Sequence, residues 1–140
     1  MADLAVVVAT MRHPVEYPHA RWAVLEALAA LSDHAYQQRV WLRRGIPQQD
    51  FCDSLDLAIH TLYDDWAVLP APAGAIGGIV VDGVGVERLI ALDDVLSPLL
   101  EDLGDVPDSV YLKHPSWSQI RAAAAAALSA MVLEGPIPLP

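Results

Sequence analysis

The 140-residue sequence predicts a mainly α fold, a compact bundle of four to five helices with room for one short β-ribbon. Three observations carry this expectation. Leucine recurs at 89, 92, 96, 99 and 103. Phe51, Leu55, Ile59, Leu62 and Trp66 recur at steps of four, four, three and four. Six consecutive alanines occupy 122–127. At about 100° per residue, each of the first two sets falls on one stripe of a helix, and alanine is the strongest helix former. Apolar residues make up 54% of the chain and charged residues 19%, a balance that buries a core and is the reverse of disorder.

The elements follow in order within a single domain, 1–140. Residues 1–18 read as a mobile leader or short strand, with either Met1 or Met11 as the start. The first ten are apolar but carry Asp3 and no Lys or Arg, unlike a secretory signal. A helical core is expected over 19–134, with a frayed Pro-rich tail over 135–140. Its first helix, over 19–31, carries Trp22, Leu25, Leu28 and Ala29 on one stripe. Ser32 or Asp33 ends it and caps a shorter helix over 34–43 bearing Tyr36, Val40 and Trp41. Gly45 and Pro47 close that segment. Asp50 is the expected N-cap of the next helix, over 51–66, whose Asp53, Asp56, His60 and Asp64 lie opposite its apolar stripe. Residues 71–85 are rich in Gly and Pro around Ile79-Val80-Val81, a strand-type run that could pair with Val6-Val7-Val8. A long helix over 86–103 contains Pro98, which either kinks it or opens a new helix capped by Ser97. Ser116 and Gln119 fit a capping box for the last helix. Its buried stripe is Trp117, Ile120, Ala124, Leu128 and Met131.

The charge is uneven. Formal net charge is −10, and 50–108 holds thirteen acidic residues against one basic residue, Arg88. The remainder holds five acidic and seven basic residues, with Arg12, Arg21, Arg39, Arg43 and Arg44 forming a mildly basic front. An acidic surface repels nucleic acid and anionic membranes and attracts basic partners. No apolar run reaches the roughly 18 residues of a membrane span. The single cysteine, Cys52, has no partner for an internal disulfide, which fits a reducing, cytoplasmic setting. Asp50 and Asp53 flank it and oppose a reactive thiolate.

No constellation carries a catalytic signature. Asp64-Asp65, Asp93-Asp94 and Glu101-Asp102 are sequence neighbours that diverge by about 100° on a helix, so none is an acid–base pair. Residues 74–78 lack the Gly-Lys-Ser/Thr ending of a phosphate loop, and 83–85 lack the third glycine of a dinucleotide fingerprint. Neither a nucleophile elbow nor a His-Glu-x-x-His pair is present. Trp22, Trp66 and Trp117 lie on apolar stripes, whereas Trp41 sits among arginines and reads as an exposed aromatic.

The expected function is therefore a non-catalytic acidic interaction module, without cofactor, that binds a basic protein partner. The expected contact surface is Asp53, Asp56, His60 and Asp64, with Trp41 beside it. The alternative is a small metal- or ligand-binding protein using His60 and neighbouring carboxylates. Asp56, His60 and Asp64 span about 12 Å of helix, so a shared ion would need ligands from another element, with His13, His19, His34 and His114 as candidates. A homodimer joined through the alanine-rich helix is a third possibility.

Several stretches stand out together: Met11-Arg12-His13-Pro14, Leu31-Ser32-Asp33, Tyr36-Gln37-Gln38-Arg39-Val40-Trp41 and Leu62-Tyr63-Asp64-Asp65. Leu103-Gly104-Asp105-Val106-Pro107-Asp108 and His114-Pro115 before Trp117 complete the set. They resemble a family of small acidic proteins from streptomycetes and related actinobacteria. The resemblance runs from Met11 to about Met131. It implies a lineage and a cytoplasmic setting, and it assigns no catalytic residue. The acidic helical build is also similar, in class only, to bacterial immunity and antitoxin proteins.

Overall fold

The computed structural model describes residues 15–42 and 53–135. The expectations placed on Val6-Val7-Val8, Arg43, Arg44, Asp50, Phe51, Cys52 and the tail beyond Gly135 lie outside the described residues. Within them the chain is a helical bundle, as its periodicities predict, with six α-helices. They are α1 (Pro18–Ser32), α2 (His34–Tyr36), α3 (Leu55–His60), α4 (Val84–Leu103), α5 (Asp108–Lys113) and α6 (Trp117–Glu134).

The alanine-rich α6 packs against both α1 and α4. Trp117, Ile120, Ala124, Ala127 and Met131 are its buried residues, at steps of three, four, three and four. Small side chains in the middle of that stripe let neighbouring backbones close in. Leu128, expected on the stripe, lies at its edge and is half-buried. Helix α4 buries Val86, Leu89, Leu92, Leu96 and Leu99, while Leu103 is half-buried. The helix runs unbroken through Pro98. A proline inside a helix costs about 3 kcal/mol, whereas each fully buried leucine contributes about 1.5–3 kcal/mol. The stripe outweighs the break, and Pro98 and Asp94 are both exposed, so the lost bond falls on the wet side.

Two helices end in wide turns with i to i+5 hydrogen bonds. Helix α2 continues as a π turn over Gln37–Trp41, closed by Leu42 N donating to Gln37 O at 3.1 Å. Helix α3 continues as a π turn over Thr61–Asp65, closed by Trp66 N donating to Thr61 O at 3.3 Å. A π turn advances each residue by less than the α-helical angle, so the α-based stripe no longer holds beyond it. Trp66 accordingly leaves the stripe and is 42% exposed, while Val68 and Leu69 fill the core after it. Ala67, between them, adopts a left-handed conformation at φ 48°.

The expected capping box at Ser116 does not form. Ser116 is itself helical (φ −80°, ψ −7°), and its side chain caps nothing. The caps that do form are Asp33, whose Oδ1 accepts from Tyr36 N, and Ser54, whose Oγ accepts from Leu57 N. The run at 79–81 is not a strand. Among the described residues its only pairing is a single bridge between Ile76 and Val80, and Ile79 and Val80 are buried in the core. Arg21, counted with the basic front, is interior. Its guanidinium donates to the carbonyls of Ile79 (3.1 Å) and Met131 (2.6 Å), tying α1 to the loop and to the end of α6. Burial pushes its pKa down, and the Glu134 charge pulls it back up. No described helix is long and apolar enough to cross a membrane.

Candidate functional site

Helix α3 carries four of the five residues expected to form a contact surface, or flanks them within a turn. Its N-cap, Ser54, is extended (φ −153°, ψ 168°), so the residue before it turns back toward α2. Asp53 is therefore not on the water-facing stripe. Its Oδ2 accepts from Tyr36 Oη at 2.5 Å and from Trp41 Nε1 at 3.2 Å, and its Oδ1 accepts from Ser54 N at 2.9 Å. Trp41 is likewise corrected: it is fully buried, edge-on to both Tyr36 and Trp117. The π turn swings its indole away from exposed Arg39 into the bundle, where Asp53 satisfies the N–H. Trp41 lies beneath the site, and Asp53, bonded to it, is half-buried at the edge.

Asp56, His60 and Asp64 do face water, with side chains 79%, 55% and 61% exposed. His60 Nδ1 lies 2.6 Å from Asp64 Oδ2, while His60 Nε2 lies 3.7 Å from Asp56 Oδ2, too far for a hydrogen bond. The three side chains form the crest of a ridge.

A groove runs along each flank. One, of about 500 Å³, lies between α3 and the connection from α4 to α5, with Asp56, Asp105 and Asp108 among its walls. The other, of about 410 Å³, lies between α3 and α1, with Glu26, Asp33 and Asp53 around an alanine floor. Among the described residues no Lys or Arg lines either groove, and Arg39 stacks over the ring of Tyr36 at the edge of the second, 5.9 Å from its centroid. The first groove's field is legible at Tyr111, whose hydroxyl donates to Gly104 O at 2.6 Å. Burial raises the Tyr111 pKa, and the carboxylates of Asp105, Asp108 and Asp56 raise it further. Three carboxylates from two segments, α3 and the 103–108 turn, thus act on one point. Asp108 is also structural, since its Oδ2 accepts from Leu55 N at the start of α3.

Asp105, Asp108 and Tyr111 were missed as site residues. Helix α5 is six residues long, too short for a period to declare itself. The one signal was the acidic turn 103–108, which stood out only for its resemblance.

Asp93 and Asp94 differ in their surroundings. Asp93 accepts a hydrogen bond from Tyr63 Oη at 2.8 Å, pinning the α3 π turn to α4, while Asp94 is exposed. Among the described residues no three His, Cys, Asp or Glu side chains converge where one metal ion could sit. Residues 15–135 match the model of a family described as Domain of unknown function (DUF7945). No curated protein and no solved structure matches the chain.

Proposed function

The chain belongs to that family of unknown function, and we propose from its surface that it is a non-catalytic acidic interaction module that binds a basic protein partner in the cytoplasm. The observation that carries the reading is the ridge: Asp56, His60 and Asp64 stand exposed along α3 and its π turn, between two grooves walled by further carboxylates. Like charges gathered on one face repel one another, so such a face suits a complement that arrives from outside. The same field repels nucleic-acid phosphates and anionic lipid. Proteins of immunity or antitoxin type, which mask a basic partner, are the class this surface suits.

The test is capture by the immobilised chain against the Asp56→Lys/Asp64→Lys variant, with helical circular dichroism matched first. Both side chains are mostly solvated, so the variant is expected to fold. Retention of a basic protein by the parent chain, and its loss with the variant, supports the reading. Equal retention by both removes the ridge from the interface.

A further inference from the structure

The groove between α1 and α3 is unlike the ridge beside it, because its lining is mostly apolar. Its floor is made of Ala23, Ala27, Ala30 and Ala58, whose side chains end at Cβ, and exposed Leu57 forms one lip. Glu26 and Asp33 stand exposed at the rim. Its volume, about 410 Å³, lies within the span of small-ligand pockets, about 300–1,000 Å³. It is an open trough between two helices, however, which is the shape that receives another helix. An apolar floor within a negative rim selects an occupant with the reverse arrangement, greasy along one stripe and cationic on both flanks.

We propose that this groove seats a basic amphipathic helix of the partner, with its apolar anchors on the alanine floor and its Lys or Arg residues against Glu26 and Asp33. The proposal rests on the acidic-module reading and gives its partner a secondary structure. The groove adjoins the ridge through α3: Leu57, Ala58 and Thr61 face the groove, while Asp56, His60 and Asp64 form the crest. One helix laid in the groove therefore meets charge from both sides.

The probe is a synthetic helical peptide with Leu at i, i+3, i+4 and i+7 and Lys elsewhere. A lysine-rich peptide of equal charge without leucine serves as control. Chain labelled at alanine methyls is titrated with each and followed by NMR. The leucine peptide is expected to shift the methyls of Ala23, Ala27, Ala30 and Ala58 and to leave those of 122–127 in place. Ala30→Leu, which fills the trough, is expected to weaken the leucine peptide by about tenfold and to leave the control unchanged. Leu57→Lys, at an exposed lip, provides a second variant should Ala30→Leu not fold.

Shifts confined to 122–127, or no shift, overturn the proposal. So does an unchanged leucine-peptide affinity in both variants, or a groove filled by a second copy of the chain, seen as concentration-dependent shifts without peptide. If Asp56→Lys/Asp64→Lys still abolishes capture while the groove variants do nothing, the groove proposal alone fails. If charge reversal also does nothing, the acidic-module reading fails with it.

Discussion

Trp117 and Gln37 meet inside the bundle: the indole Nε1 donates to Gln37 Oε1 at 3.0 Å, eighty residues apart in the chain. Gln37 Nε2 in turn donates to the carbonyls of Ala30 (2.9 Å) and Leu31 (2.8 Å). These belong to the last turn of α1, where backbone acceptors have no helical partner. A fully buried amide thus satisfies one helix end and fixes the indole that starts α6. Gln37→Leu would leave that N–H and those carbonyls buried and unpaired, at about 1–3 kcal/mol for each stranded group. Denaturant unfolding followed by tryptophan fluorescence should show a loss of at least about 2 kcal/mol. A loss below about 0.5 kcal/mol would mean that water reaches these groups.

Gly85 and Glu134 form a second long-range tie, at the start of α4. Gly85 N donates to Glu134 Oε1 at 2.6 Å, and a Cβ at Gly85 would lie 2.6 Å from Glu134 Oε2 and 3.2 Å from Met131 Cγ. A hydrogen bond to a charged group contributes about 1.5–3 kcal/mol, whereas replacing glycine by alanine within a helix gains up to about 1 kcal/mol. Gly85→Ala is therefore expected to destabilise the parent chain. In a Glu134→Ala background the same change should become neutral or stabilising. A double-mutant cycle reads this sign reversal directly, and additive effects would refute the contact.

Ala67 holds φ at 48°, where a side chain costs about 1–2 kcal/mol. Glycine there relieves the strain but loses more backbone entropy on folding. Ala67→Gly should raise stability by about 0.5–1 kcal/mol, seen as a higher denaturant midpoint with an unchanged slope. A destabilised variant would show that the turn is held differently.

Tyr36, Tyr63 and Tyr111 all have raised pKa values. Burial is the main cause in each, reinforced by Asp53 for Tyr36, by Asp93 for Tyr63, and by Asp105, Asp108 and Asp56 for Tyr111. A folded-state pKa above the unfolded value means that the folded chain retains protons the unfolded chain would release. The resulting stability is complete below about pH 10, the unfolded tyrosine value, and is lost as pH rises beyond it. Tyrosinate absorbance from these three residues should therefore appear together with loss of helical circular dichroism. Asp93→Asn should bring Tyr63 ionisation to lower pH, and ionisation of all three in an intact fold would contradict the assignment.

Much of the bundle was legible in the sequence because α4 and α6 are long. Twenty and eighteen residues give a period room to repeat, and the leucines and the alanine run marked the faces that bury. The polar crest of α3 was legible in part: Asp56 and His60 are one α-helical turn apart, and Asp64 stays beside His60 although it lies in the π turn. What failed was decided by packing between distant segments. The π turns displaced Trp66 outward and Trp41 inward, and an i to i+5 bond leaves no residue pattern of its own. Asp53 looked like part of the crest until Tyr36 and Trp41 arrived from α2 to claim it. Arg21 looked like surface charge because its acceptors are backbone carbonyls at Ile79 and Met131, invisible in composition. The acidic groove needed Asp56 and Asp105 to be brought together by the fold, and no spacing foretells that.

The account turns on charge presented by α3 to a partner, and association kinetics test it most directly. With the basic protein retained by the parent chain, the association rate should fall steeply as salt shortens the Debye length from about 30 Å at 0.01 M to about 8 Å at 0.15 M. In Asp56→Lys/Asp64→Lys the rate should be slow at every salt concentration and nearly flat. A rate that is insensitive to salt in the parent chain, or identical in the two proteins, would contradict the account.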